Sequence, residues 1–158
     1  MADDELWQRT ARAHTAMLYK LAFSLLHSDA DAQDAVQQTL LRTWEKRTGI
    51  RDESLRAYMT RTLINECHNI RRQSKRIEYI DEYPPLPAPQ EQSYAEVYAA
   101  LAALPEKLRL PVYLKYLEDF SEAEAAQALR IPVTTFRGRL HRARVHLRKT
   151  LDREVTLE

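Results

Sequence analysis

Residues 121–149 read SEAEAAQALRIPVTTFRGRLHRARVHLRK, and three signals in that stretch decide the fold. Ser121 with Glu124 three positions on is the spacing of a capping box, so it opens a helix expected over about 122–129. Ile131-Pro132-Val133-Thr134 interrupts that helix, because proline lacks an N–H and biases the residue before it away from helical geometry. A second helix is expected from about Thr134 to Leu151, with Phe136, Leu140, Ala143 and Leu147 recurring along one face. A brief helix, a tight connection and an arginine-rich helix form the pattern of a helix-turn-helix. In that motif the second helix offers its N-terminal side chains to base edges in a major groove. Here those are Thr134, Thr135, Arg137, Arg139, His141 and Arg142, with Gly138 among them. Arginine suits the task because its planar fork matches O6 and N7 of guanine, and further arginines such as Arg144 can neutralise phosphates.

Upstream, the same helical period recurs. Leu6, Trp7, Met17, Leu18, Leu21, Ala22 and Leu25 stripe a first helix, and Ser28 or Asp29 can cap a second. The inward face of the second is Ala32, Ala35, Val36, Thr39, Leu40, Thr43 and Trp44, with Thr48-Gly49 as its exit. A third helix is expected from near Glu53-Ser54, carrying Leu55, Tyr58, Met59, Leu63, Ile64, Cys67 and Ile70 inward. Between 77 and 93, Pro84, Pro85, Pro87 and Pro89 remove helical donors and point to an extended linker. Helix resumes at Tyr94 with Val97, Leu101 and Leu104, and Pro105 starts another that Pro111 is expected to bend. The expected architecture is all-α: one small helical domain over 1–76, a flexible linker over 77–93 and a second helical domain over 94–158.

Composition agrees. Two glycines in 158 residues cannot furnish the turns of a sandwich or barrel, nor either common phosphate loop. One cysteine, Cys67, permits no internal disulfide, and no apolar run reaches the length that spans a bilayer, so a cytoplasmic location is expected. The net charge of +1 hides a segregation: residues 51–76 carry +4, residues 77–107 carry −5 and residues 129–149 carry +7 without one acid. Two basic patches divided by an acidic stretch suit two modules that touch a polyanion in two places. His141 and His146, five apart, share no helix face well, so no metal site is expected; no catalytic residue and no cofactor is assigned.

The run from Ala100-Leu-Ala-Ala-Leu-Pro-Glu-Lys-Leu-Arg109 through Tyr116-Leu-Glu-Asp-Phe-Ser121 to Ile131–Arg144 resembles region 4 of bacterial sigma factors. Asp34-Ala-Val-Gln-Gln-Thr-Leu-Leu-Arg-Thr-Trp44 and Leu55–Asn65 with Arg71-Arg72 resemble region 2. Two such modules in this order, with a short proline-containing linker, are similar to the extracytoplasmic function (ECF) group of the sigma-70 family. The resemblance implies partners: core RNA polymerase, through its β′ clamp and β flap, promoter DNA, and an anti-sigma factor, with no small-molecule substrate. It implies that Asp34, Gln37, Gln38, Leu41 and Trp44, beside Arg42, meet the clamp. It implies that Tyr58, Arg61, Asn65, Asn69, Arg71 and Arg72 line the melted minus-10 element. It places Thr134, Thr135, Arg137, Arg139, His141, Arg142 and Arg144 at the minus-35 duplex. The pattern departs at Tyr58 (usually tryptophan), Asn69 (usually aspartate), Arg130 (often glycine) and Gly138 (often serine).

A conventional helix-turn-helix regulator with an N-terminal ligand or dimerisation bundle is the alternative. It would need a concave apolar cavity where Asp34–Trp44 offers a polar surface helix. A linker with four prolines extends at about 3.1 Å per residue and keeps the two domains separable. A protease of broad specificity should therefore cut first between Arg76 and Tyr94; equal resistance of this stretch and the helices would contradict the tether.

Overall fold

A computed structural model of the chain describes residues 3–74 and 95–156. Among them are seven α-helices and no strand: α1 (Asp4–Leu26), α2 (Asp29–Lys46), α3 (Leu55–Ser74), α4 (Ala95–Ala103), α5 (Glu106–Val112), α6 (Glu122–Leu129) and α7 (Val133–Thr156). The chain divides into two compact units, α1–α3 and the helices from α4 onward, save that residues 127–130 group with the first. The linker expected over 77–93 lies outside the described residues.

In the first unit α1, α2 and α3 pack on one another in all three pairs. Asp3 caps α1 by accepting from the Leu6 N–H at 2.7 Å, and Ser28 caps α2 by accepting from the Asp31 N–H at 3.2 Å. The core holds Leu18, Leu21, Ala22, Ala32, Ala35, Leu55, Met59, Leu63 and Cys67, while Leu6, Trp7, Leu40, Trp44, Tyr58 and Ile70 are half-buried. Small residues on α2 allow close approach, and their hydroxyls are satisfied one turn back. Thr39 donates to the Ala35 carbonyl at 2.7 Å and Thr43 to the Thr39 carbonyl at 2.8 Å.

The second unit is shaped by its prolines. Pro105 is the N-cap of α5, its carbonyl accepting from the Leu108 and Arg109 N–H groups at 2.9 Å. Pro111 is buried inside α5 and the chain stays helical through it, widening into a π-helical turn at Tyr113–Leu117. Asp119 then adopts a left-handed φ of 55°, and Phe120 turns into the core. Ser121 caps α6, accepting from the Glu124 N–H at 3.0 Å. At its far end the Arg130 N–H reaches the Gln127 carbonyl and the Ile131 N–H the Ala126 carbonyl at 3.0 Å, the paired bonds of a Schellman cap. Helices α4 and α5 pack on α7, whose Phe136, Leu140 and Ala143 are buried with Leu104, Leu108 and Leu114 in the same unit. Val97, expected inward, is 38% exposed.

Arg130 occupies the αL position of that cap with φ 57°, where a side chain other than glycine costs about 1–2 kcal/mol. Arg130→Gly should therefore raise stability against denaturant by about 1 kcal/mol, and Arg130→Ala should not. Equal stability of the two variants would show that the strained φ is not the cause.

Candidate nucleic-acid interface

The face of α7 opposite its buried stripe carries Thr134, Gly138, His141 and Arg142, all exposed and spaced at i, i+4, i+7 and i+8. Nothing lies within 4 Å of where a Cβ on Gly138 would stand, so a partner's backbone has room there. Thr135 and Arg139 are half-buried along one edge of this face. Arg137 and Arg144 stand along the other, and both are held. Arg137 donates from Nε to the Glu122 carboxylate at the start of α6. Arg144 donates from Nε to the Tyr116 hydroxyl at 2.7 Å, its guanidinium 5.4 Å from the ring centre. Arg139, His141 and Arg142 make no hydrogen bond or ion pair with another described residue.

The hydrogen bond from Arg137 holds the Glu122 carboxyl below its ordinary range; desolvation opposes this, and the charges of Arg137, Lys115 and Arg144 add to it. Its folded pKa being depressed, the pair is intact at neutral pH and is lost only as pH falls through that lowered value.

On α3, Tyr58, Arg61, Asn65, Asn69 and Arg72 stand at i, i+3, i+7, i+11 and i+14, a single stripe. The Arg61 guanidinium lies 4.9 Å from the Tyr58 ring centre, Asn65 is exposed, and Arg72 donates to the Asn69 side-chain carbonyl. Arg71 is not on the stripe. Its Nη2 donates to the Leu25 carbonyl at 2.7 Å, which satisfies a backbone acceptor in the last turn of α1.

On α2, Asp34, Gln37, Gln38, Leu41, Arg42 and Glu45 are all exposed and share one face, with Leu41 55% exposed at its centre. Arg42 bridges to the nearly buried Glu66 of α3 at 2.6 Å. Trp44, expected among the polymerase contacts, is half-buried at the edge of this face. It packs edge-on against Trp7 at 4.9 Å, and the Arg47 guanidinium covers its ring at 3.6 Å. Trp7 donates to Thr43 at 3.2 Å, and Arg47 pairs with Asp4 at 2.5 Å, so the start of α1 is fastened to the end of α2.

Residues 10–77 match the family described as Sigma-70 region 2, and residues 94–147 the one described as Sigma-70, region 4. The chain belongs to the sigma-70 family. The RNA polymerase sigma-E factor of Streptomyces antibioticus is 31% identical over 96% of this chain and 89% of its own length. The ECF RNA polymerase sigma factor SigE of Mycolicibacterium smegmatis is 29% identical over 92% of this chain but 61% of its own, so this chain spans under two thirds of that relative. Among solved structures, the sigma factor RpoE of Bartonella quintana, in complex with the anti-sigma factor NepR, superposes with a TM-score of 0.75 at 25% identity. That superposition covers 92% of this chain and 96% of RpoE.

Within this sigma-factor chain, the sequence did not reveal the contacts of Glu122, Tyr116, Glu66 and Trp7, each of which holds a candidate or neighbouring side chain distant in sequence. The separate places of Arg71 and Arg72 generate a test. Arg71→Ala should cost about 1.5 kcal/mol of stability, the worth of a hydrogen bond with a charged donor, while exposed Arg72→Ala should stay within about 0.5 kcal/mol of the parent. Equal losses in denaturant unfolding would contradict the assignment.

Proposed function

We propose that this chain is a promoter-specificity subunit of RNA polymerase. It binds the core enzyme's β′ clamp through the exposed face of α2, lays the non-template strand of a melted minus-10 element along α3, and reads a minus-35 duplex with α7. The observation that supports this best is the order of the surfaces: a polar stripe on α2 and a mixed aromatic, amide and arginine stripe on α3 lie in the region 2 match, and the arginine-rich helix lies in the region 4 match. Each surface has the chemistry its target needs. Tyr58 offers a ring for base stacking, Arg61 and Arg72 offer charge to the backbone, and Asn65 offers an amide to a base edge. Sigma factors are in general non-catalytic, and the work of the chain is binding. The β flap is the expected partner of the second unit, and the cytoplasm, where core polymerase works, is the expected location. RpoE is in complex with the anti-sigma factor NepR, and an anti-sigma factor is the candidate regulatory partner of this chain. The regulator with an N-terminal ligand bundle is not favoured, because residues 10–77 match region 2.

Two variants separate the steps. Gln37→Ala with Gln38→Ala should weaken association with core polymerase while the melting temperature stays close to the parent's, since exposed substitutions usually change stability by less than about 0.5 kcal/mol. Arg61→Ala with Asn65→Ala should bind core normally and fail to open promoter DNA, read by permanganate reactivity of unpaired thymines. Unchanged core affinity in the first, or normal opening in the second, would remove the corresponding surface.

A further inference from the structure

Among the candidate base readers, Arg137 alone is hydrogen-bonded to a carboxylate within the described residues. The contact uses one edge of its guanidinium. Nε donates to Glu122, which leaves the Nη1/Nη2 end free, and that end is the fork that meets O6 and N7 of guanine. The Arg137 side chain remains 65% exposed while Glu122 is 33% exposed, so the acid anchors the arginine from below and leaves its tip in solvent. Glu122 is itself well placed. It is the first residue of α6, after the Ser121 cap, where the helix dipole favours a carboxylate.

Charge alone does not account for the pair. An arginine used to neutralise phosphate gains nothing from an adjacent carboxylate, which offsets its charge and repels the DNA backbone. A carboxylate is useful where geometry matters more than charge, because it removes rotamer freedom from a side chain that must present two donors in one plane. Arg139 and Arg142 have no such partner. Resting on the minus-35 reading above, we infer that Arg137 is the guanine-reading residue of α7 and that Glu122 is a positioning residue that fixes its guanidinium for that contact.

The test is selection of duplexes randomised over the minus-35 interval by the full chain assembled with core polymerase, followed by sequencing. The parent should select guanine at one position, and Arg137→Ala should abolish preference there. Glu122→Ala should cut selectivity at that one base pair by about tenfold, one bidentate contact's share of discrimination, and leave the other positions unchanged. Its total binding to the pool should rise, because a negative charge facing DNA is gone. Glu122→Asp keeps the charge and the helix N-terminal acid but shortens the reach. It should lose selectivity at the same position with total binding as in the parent, which separates positioning from charge. If Glu122→Ala and Glu122→Asp both keep the parent's preference, Glu122 positions nothing; if the preference rises, Glu122 competes with DNA for Arg137. Either result overturns this inference and leaves the promoter reading standing. A parent chain that binds core but selects no sequence would overturn the promoter reading itself.

Discussion

The apolar docking of α7 is the interaction on which the DNA-reading half of the molecule depends. Phe136, Leu140 and Ala143 are almost completely buried on a helix that carries six basic residues and no acid between Val133 and Lys149. The magnitudes decide that such a helix is held. Burying Phe136 and Leu140 contributes about 1.5–3 kcal/mol each. The like-charge pairs at helical contact spacing, Arg139 with Arg142 and Arg144 with Arg148, each cost only about 0.2–0.5 kcal/mol. The unit therefore folds with its positive charge displayed, and the cost of displaying it is modest until an external polyanion makes it favourable.

The same logic sets what each basic side chain does. Arg144 and Arg137 reach back to Tyr116 and Glu122, and Arg42 reaches Glu66, so three of the arginines are fixed by the fold. Arg71 is half-buried and tied by the Leu25 carbonyl, off the stripe of α3. Arg139, Arg142 and Arg148 on α7 stand without such partners among the described residues and suit phosphate, whose recognition needs charge more than direction. A net charge of +1 over the whole chain is thus compatible with two strongly basic faces.

Local signals carried much of this into the sequence. Ser28 and Ser121 cap helices because a short hydroxyl side chain satisfies an N–H that nothing else in the helix can reach, and that rule needs no tertiary knowledge. The buried stripe of α7 and the exposed stripe of α2 follow from the helical period alone. The features that were not legible depend on partners brought together only by folding: Trp44 meets Trp7, and Arg71 meets Leu25 across 46 residues. Backbone detail was hidden for a different reason. Pro111 marks an irregularity, but that the helix widens into a π-helical turn, with Leu114 and Phe120 buried beside it, is not written in the proline itself. Arg130 shows the converse, since a residue ill suited to positive φ is held there by the bonds on either side of it.

On the proposed function, the two units divide initiation between a surface for protein and melted strand and a surface for duplex. Sequencing transcript starts made on sheared genomic DNA of the source organism by core polymerase, with and without the purified chain, tests that account most directly. New starts that depend on the chain and share two upstream elements at fixed spacing are the predicted result. The same starts with and without the chain, under conditions where it demonstrably binds core, would contradict it.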